Sequence, residues 1–172
     1  MKRVILLAAM FLSAVPISAQ ANYPSRQEIR AALKDVDYAL RRFEEVSGKI
    51  NFTRWNAPYA RVEASQKYLD RVLSGNRNAR EWMSDLENPE KGVSSLALLR
   101  TLERLNAIAE AGDGLACDVI EYSKDLGLAI ELRDTGTLAV KAAEKFRPFL
   151  VQQLEAQERE LSLYRSANKP RQ

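Results

Sequence analysis

Apolar residues recur at steps of three and four along most of the chain, and this spacing constrains the fold more than any other feature. It is clearest near the beginning, where the stripe consists of Ile29, Leu33, Val36, Leu40 and Phe43. Such spacing places side chains on one face of a 3.6-residue helix. Apolar and polar residues do not alternate, and β-branched residues do not cluster, so we expect no strand. The pattern predicts an all-α protein.

Breaks in this periodicity divide the chain into five major helices and one short helix. Glycine is common just after the end of a helix and in the tight turns between helices. We therefore expect breaks at Gly75, at Gly112-Asp113-Gly114 and at Asp134-Thr135-Gly136. The short helix follows Gly75 and ends before Pro89. Since the connections are short, the helices are predicted to form an antiparallel bundle.

The longest predicted helix runs from Thr137 to Ala167 and contains a proline near its centre. Pro148 removes one backbone donor and clashes with the carbonyl of Glu144, at a cost of about 3 kcal/mol in a helix interior. The stretch is therefore kinked at Pro148, or broken there into two helices. Because the apolar periodicity stays in register through the proline, we favour the kinked helix.

The first 21 residues predict a cleaved secretory signal peptide rather than part of the fold. Lys2 and Arg3 precede an apolar run, and Ala19-Gln20-Ala21 matches a small-x-small cleavage signal. The run is shorter than the roughly 20 apolar residues that a membrane anchor needs. Residues 22–172 then predict a single all-helical domain, with a flexible tail at 168–172. We expect a protein exported by a bacterial type of signal, either periplasmic or secreted.

Composition argues against several classes of function. The chain has 26 Lys and Arg against 23 Asp and Glu, and residues 1–21 hold two of the basic residues, which leaves 24 against 23. The charges alternate in sign along each helix, so we expect no nucleic-acid surface. The chain has no histidine, which excludes Ser-His-Asp and Cys-His catalytic sites and metal sites built on imidazole. We expect no enzyme, no cofactor and no metal.

Two further features could suggest a chemical function, but we interpret both of them as structural. Asp134-Thr135-Gly136 matches the motif of aspartic proteases, but those enzymes need a β-rich fold and a second facing aspartate. We interpret the segment as an inter-helix turn. Cys117 is the single cysteine of the chain, so it cannot form an intrachain disulfide. We interpret Cys117 as a thiol on a helix near the core, with a Cys117-linked dimer as the alternative.

The expected function is therefore binding rather than catalysis. The end of the long helix, with Leu161 and Tyr164, is predicted to extend past its shorter neighbours and dock onto an unidentified envelope protein or polymer. The alternative is a carrier of a small apolar ligand, with a pocket between helices near Trp55, Tyr59 and Trp82. These aromatic residues can also be interpreted as a partner surface or as a plug that closes one end of the bundle.

Overall fold

A computed structural model describes residues 23–167 and contains four α-helices. A 3₁₀ turn, Phe52–Arg54, lies between the first two, and a π-helical turn, Val119–Ser123, extends the third. No strand occurs in this part of the chain, which confirms the all-α prediction. The predicted signal peptide and the tail at 168–172 lie outside the described residues. The helices are α1 (Arg26–Ser47), α2 (Tyr59–Glu87), α3 (Ser95–Asp118) and α4 (Leu126–Ala167).

Each helix packs against the next in sequence, and α4 also packs against α1, so the four helices surround one core. Ion pairs tie the helices together: Arg80 of α2 contacts Glu44 of α1 at 2.7 Å, and Glu131 of α4 contacts Lys49 just after α1 at 2.6 Å. The apolar stripe predicted for the first helix forms the centre of this core. Its members are each at most 1% exposed: Ile29, Leu33, Val36, Leu40 and Phe43.

The predicted second helix and the short helix after it are one continuous helix, α2. Gly75 does not end it, because this glycine lies where Arg104 of α3 packs against α2. A Cβ atom at position 75 would lie 2.0 Å from Nη1 of Arg104. The glycine therefore allows close packing rather than chain reversal. A seven-residue repeat of buried positions runs through it: Ser65, Leu69, Val72, Asn76, Ala79, Met83 and Leu86.

The breaks predicted at 112–114 and 134–136 are also wrong, since both segments lie inside helices. Gly112 of α3 and Gly136 of α4 lie where the backbones of the two helices approach each other closely. A Cβ on Gly112 would lie 2.7 Å from the carbonyl oxygen of Leu132, and one on Gly136 would lie 3.1 Å from that of Ala109. The aspartic-protease-like triplet is therefore part of a helix–helix contact, and the predicted inter-helix turn does not exist.

The chain turns between α3 and α4 at Lys124 and Asp125. Lys124 adopts a left-handed conformation with φ 60°. Asp125 then caps α4, because its Oδ1 accepts a hydrogen bond from the amide of Leu128 at 2.9 Å. No glycine or proline occurs from residue 119 to residue 126, so this turn lacks the two residues that most often mark a break between helices. As a result α4 begins at Leu126 rather than at Thr137.

Helix α4 has 42 residues, or about 63 Å at 1.5 Å per residue. Pro148 lies inside it, so the interpretation as two separate helices is wrong. Pro148 and Glu144 are both exposed, and water can therefore hydrogen-bond to the carbonyl that the proline leaves without a donor. Among residues 23–167, no helix combines the length and apolar content needed to cross a membrane.

Candidate functional site

The aromatic residues near the turn between α1 and α2 are divided between core and surface. Trp55 is only 8% exposed, and its ring stacks on Tyr122 with the centroids 5.7 Å apart. Phe52 covers the same indole at 4.7 Å. Tyr59, by contrast, is 81% exposed. The burial of Trp55 fits a plug at the end of the bundle. Tyr122 completes the plug from the π-helical turn, where the sequence provides no signal for it.

Trp82 lies far from these residues. Tyr59 and Trp82 are 23 residues apart on the continuous helix α2, which corresponds to about 35 Å. Trp82 packs instead beside Arg100 of α3, whose guanidinium carbon is 5.4 Å from the ring centroid. A pocket for a small ligand cannot contain both Tyr59 and Trp82. The carrier pocket predicted near Trp55, Tyr59 and Trp82 is therefore not formed by these three residues.

A polar network lies beside the plug and joins α2 to α3. Asp118 is 8% exposed, accepts a hydrogen bond from Oγ of Ser65 at 2.7 Å and forms an ion pair with Arg61. The hydrogen bond to Asp118 raises the pKa of Arg61 above its ordinary value. The guanidinium carbon of Arg61 lies 6.0 Å from the centroid of the Tyr122 ring. Both carboxylate oxygens of Asp118 are engaged, so the network connects α2 and α3 at this end of the bundle.

The last two turns of α4 extend past the packed part of the bundle. Ala156, at 1% exposure, is the last buried side chain described on this helix. Next to it, Gln157 accepts a hydrogen bond from Oγ of Ser95 at 3.0 Å. Glu160 accepts a hydrogen bond from Tyr23, which raises the pKa of that tyrosine. Residues 161–167 follow, and they add about 10 Å of helix beyond these contacts.

Both residues predicted at this end, Leu161 and Tyr164, are exposed, at 57% and 69%. They are three residues apart and therefore share a face of the helix. Leu154, one heptad before Leu161, is 50% exposed and extends the apolar face towards the bundle. Among the described residues, this side of α4 borders an open depression lined by Leu154, Gln157, Glu158, Leu161, Ser162, Arg165 and Ser166.

Cys117 is exposed on α3, so the expectation of a thiol near the core is wrong. Position 117 lies between Ala116 and Asp118, which are both buried, and a helix turns about 100° per residue, so the thiol points away from them. The nearest polar contact of its sulfur is Nη2 of Arg133, at 4.0 Å. A Cys117-linked dimer stays a prediction.

Known proteins do not assign a function to these features. The chain matches no protein-family model, no curated protein and no solved structure. Within residues 23–167, no group of three or more Asp, Glu, Cys or His side chains is arranged to hold a metal ion. The function must therefore be inferred from surface geometry, and the end of α4 is the feature that departs most from a closed bundle.

Proposed function

We propose that this chain is an exported, non-enzymatic helical-bundle protein that binds another macromolecule of the cell envelope through the end of α4. We call residues 158–166 the α4 tip. The observation that carries the proposal is an apolar helix face that continues past the last buried residue of α4. Leu154 and Leu161, one heptad apart on this face, expose 50% and 57% of their surface. Export rests on the signal peptide predicted at residues 1–21, and the non-enzymatic assignment rests on the absence of histidine.

The α4 tip has the properties of a helix that docks into a groove. Leu154 and Leu161 are one heptad apart, as anchors of a docked helix are. Glu158 and Arg165 lie on the same side of α4 and carry opposite charges. A partner with the complementary charges would bind in only one direction, since like charges in apposition are unfavourable. The partner that fits best is therefore a protein with an apolar groove flanked by charged residues.

The expected strength of such binding follows from the side chains involved. Burying a leucine side chain completely contributes about 1.5–3 kcal/mol. Leu154 and Leu161 expose about half of their surface, so burying the rest would contribute about 1.5–3 kcal/mol in total before the cost of association. Each 1.4 kcal/mol corresponds to about a tenfold change in Kd. Removing both side chains should therefore weaken binding by roughly 10- to 100-fold.

A matched pair of double variants tests the proposal. Leu154→Ser with Leu161→Ser removes the two leucine anchors of this face. Leu126→Ser with Ile130→Ser removes two equally exposed apolar side chains (63% and 61%) at the other end of the same helix. The mature chain and both variants are immobilised and incubated with an envelope extract, and the proteins retained are quantified against salt and competitor controls. The tip variant should lose the specific partner, and the control variant should retain it.

The proposal fails if both variants retain the same partner equally, or if no saturable binding occurs with the native chain. Folding is checked in parallel by circular dichroism. Deletion of residues 161–172 removes no buried side chain among those described, so a cooperative helical core should remain. A deletion from residue 155 would also remove the buried Ala156 and is not a clean test. If the shorter deletion unfolds the chain, the α4 tip has a structural role instead.

A further inference from the structure

One face of α4 is exposed along nearly the whole length of the helix. Its positions follow one another at alternating steps of four and three residues from 126 to 165, and each of them is exposed. We call these positions the outer stripe of α4. Such spacing is typical of a helix that pairs with another helix. The apolar members, between 46% and 63% exposed, are Leu126, Ile130, Val140, Val151, Leu154 and Leu161.

The other members of the outer stripe are polar, and most of them are charged. Within residues 23–167, Glu144, Arg147 and Glu158 form no ion pair. Arg133 contacts Asp113 of α3 at 3.6 Å, but both side chains are mostly exposed, so this pair contributes little to stability. The bundle therefore leaves the charges of the stripe available to a second molecule. The polar members are Arg133, Thr137, Glu144, Arg147, Glu158 and Arg165.

The charges of the outer stripe are complementary to those of a second copy that runs in the opposite direction. In such an antiparallel pair, each residue faces the residue that lies equally far beyond the midpoint on the other copy. With the midpoint between residues 145 and 146, Glu144 faces Arg147 of the second copy. Arg133 faces Glu158 in the same arrangement. Because the pair has two-fold symmetry, each of these opposite-charge contacts occurs twice.

The apolar residues of the stripe match in the same arrangement. Val140 faces Val151 of the second copy, and Ile130 faces Leu161. These side chains are about half exposed in a single chain, and pairing removes them from water. The remaining pairs are Thr137 with Leu154 and, at the outer edge, Leu126 with Arg165.

Other arrangements of two stripes are less favourable. Moving one copy by a heptad places Glu144 against Leu154 or against Val140, according to the direction of the shift. Burying a charge against an apolar side chain is costly unless the charge is paired. A parallel pair in register places each residue beside its own copy, so that Glu144 faces Glu144 and Arg147 faces Arg147. The order of residues therefore favours one register and one orientation.

We propose that the outer stripe of α4 is a self-association surface, on which two copies of this chain pair antiparallel about a two-fold axis between residues 145 and 146. The stretch from Ile130 to Leu161 is about 47 Å long. A contact about one helix wide along it buries roughly 1,000 Å² in total, at the lower end for specific interfaces. The dimer is therefore reversible. It does not depend on the function proposed for the α4 tip, but it covers Leu161, so self-association and binding of an envelope partner exclude each other on one chain.

Reversal of the central charges tests the pairing. Sedimentation equilibrium of the mature chain over a concentration series should show a reversible change from monomer to dimer. Glu144→Arg places like charges against each other twice and should raise Kd by about tenfold or more. Adding Arg147→Glu to this variant restores opposite charges at both contacts and should restore the native Kd. Gln152→Arg, at an exposed position about 100° around the helix from Val151, is the control and should dimerise as the native chain does.

The proposal is overturned if the native chain stays monomeric over the whole series. It is also overturned if the double charge reversal dimerises no better than Glu144→Arg, because the two residues then do not face each other. Circular dichroism confirms that each variant is folded.

A further variant distinguishes self-association from capture of an envelope partner. Leu126→Ser with Ile130→Ser should weaken the dimer, because Ile130 faces Leu161, and should still retain an envelope partner. A chain that dimerises but captures no envelope protein contradicts only the function proposed for the α4 tip. In photo-crosslinking, the dimer produces an adduct of twice the chain's mass from position 130 as well as from position 161. An envelope partner produces a different adduct.

A disulfide between two Cys117 residues is the competing explanation of a dimer. Cys117 contacts Arg133, which lies about 19 Å along α4 from the midpoint. The two thiols are therefore more than about 30 Å apart in the proposed pair. The dimer should be unchanged by a reductant and by Cys117→Ser. A dimer that a reductant converts to monomer would overturn the pairing through α4.

Discussion

Several glycines of this chain are explained by the atoms that a side chain would meet. Gly75 faces the guanidinium of Arg104, while Gly112 and Gly136 face backbone atoms of the opposite helix. The distinction matters, because a flexible side chain can move away from an added methyl group and a helix backbone cannot. Gly114 borders open space. Substitutions at these positions should therefore differ in sign as well as in size.

We predict opposite effects for Gly112→Ala and Gly114→Ala, two residues apart on α3. A Cβ at position 112 would lie 2.7 Å from the carbonyl oxygen of Leu132, and such overpacking costs about 1–3 kcal/mol. At position 114 an alanine side chain meets nothing and should stabilise the helix by about 0.5–1 kcal/mol. Urea unfolding followed by circular dichroism measures both free energies of unfolding. If both variants have the same stability, the close contact between α3 and α4 is not present in solution.

A second prediction at this scale concerns Glu131 and pH. The hydrogen bond from Lys49 lowers the pKa of Glu131 below its ordinary value, and Arg42 adds to the effect. A lowered pKa in the folded state means that the ion pair stabilises the fold above the ordinary pKa of glutamate. This contribution is lost as the pH falls through the lowered pKa of the folded state. The native chain should therefore lose more stability on acidification than Glu131→Gln does.

The measurement is a series of urea unfolding curves between neutral and acidic pH. Glu103→Gln, which changes an exposed glutamate on α3, is the control and should follow the native pH dependence. Since Glu131 is accessible to solvent and its ion pairs are screened, the difference should be small and should shrink at high salt. Identical pH profiles for the native chain and Glu131→Gln at low salt would contradict the role of this pair.

At the scale of whole helices, apolar periodicity predicted the all-helical secondary structure correctly, whereas the positions of glycines predicted the helix ends wrongly. The apolar stripe of α1 is buried as expected. No glycine or proline lies inside α1 to suggest a false helix end. The breaks predicted at Gly75, Gly112 and Gly136 are wrong. A glycine that ends a helix usually does so through a positive φ. No glycine has a positive φ among the described residues, and Lys124 supplies the left-handed residue instead. The choice between a glycine that ends a helix and one that admits a neighbour depends on tertiary contacts.

The start of α4 gives a direct test of the corrected boundaries. The side chain of Asp125 accepts a hydrogen bond from the amide of Leu128, so Asp125→Ala should cost about 1 kcal/mol through the loss of this N-cap. Asp134 lies exposed in the interior of α4, and alanine is the better helix former there. Asp134→Ala should therefore be neutral or stabilising by a few tenths of a kcal/mol. Thermal unfolding of the two variants shows which of them is less stable. A larger loss for Asp134→Ala would mean that the helix begins near residue 137.

At the scale of the whole molecule, the sequence predicts the exposed end of α4 but does not predict which distant residues contact each other in the core. The exposure of the α4 tip could be anticipated, because a helix longer than its neighbours has an end that they cannot cover. The partners of Trp55 could not be anticipated, since Tyr122 is 67 residues away and belongs to a turn without glycine or proline. The lack of a hydrogen-bond partner for the Asn76 side chain within residues 23–167 could not be predicted either, because its heptad position alone predicts a core residue.

The two ends of the bundle also differ in whether other side chains cover their apolar residues. At the end formed by the turn between α3 and α4, aromatic rings cover one another and close the core. At the opposite end, the helix continues with its leucines uncovered. Leu126 and Ile130 are exposed as well, but they lie at the closed end beside the bundle rather than past it. The proposed function therefore predicts a difference between two sets of exposed apolar residues on one helix.

Site-specific photo-crosslinking in living cells tests this difference most directly. A benzophenone amino acid replaces either Leu161 in the α4 tip or Ile130 at the opposite end of α4, and adducts are identified in the envelope fraction after irradiation. The proposed function predicts a discrete adduct from position 161 that is absent from position 130. An adduct from position 130 alone, the same pattern from both positions, or no adduct from position 161 would contradict it.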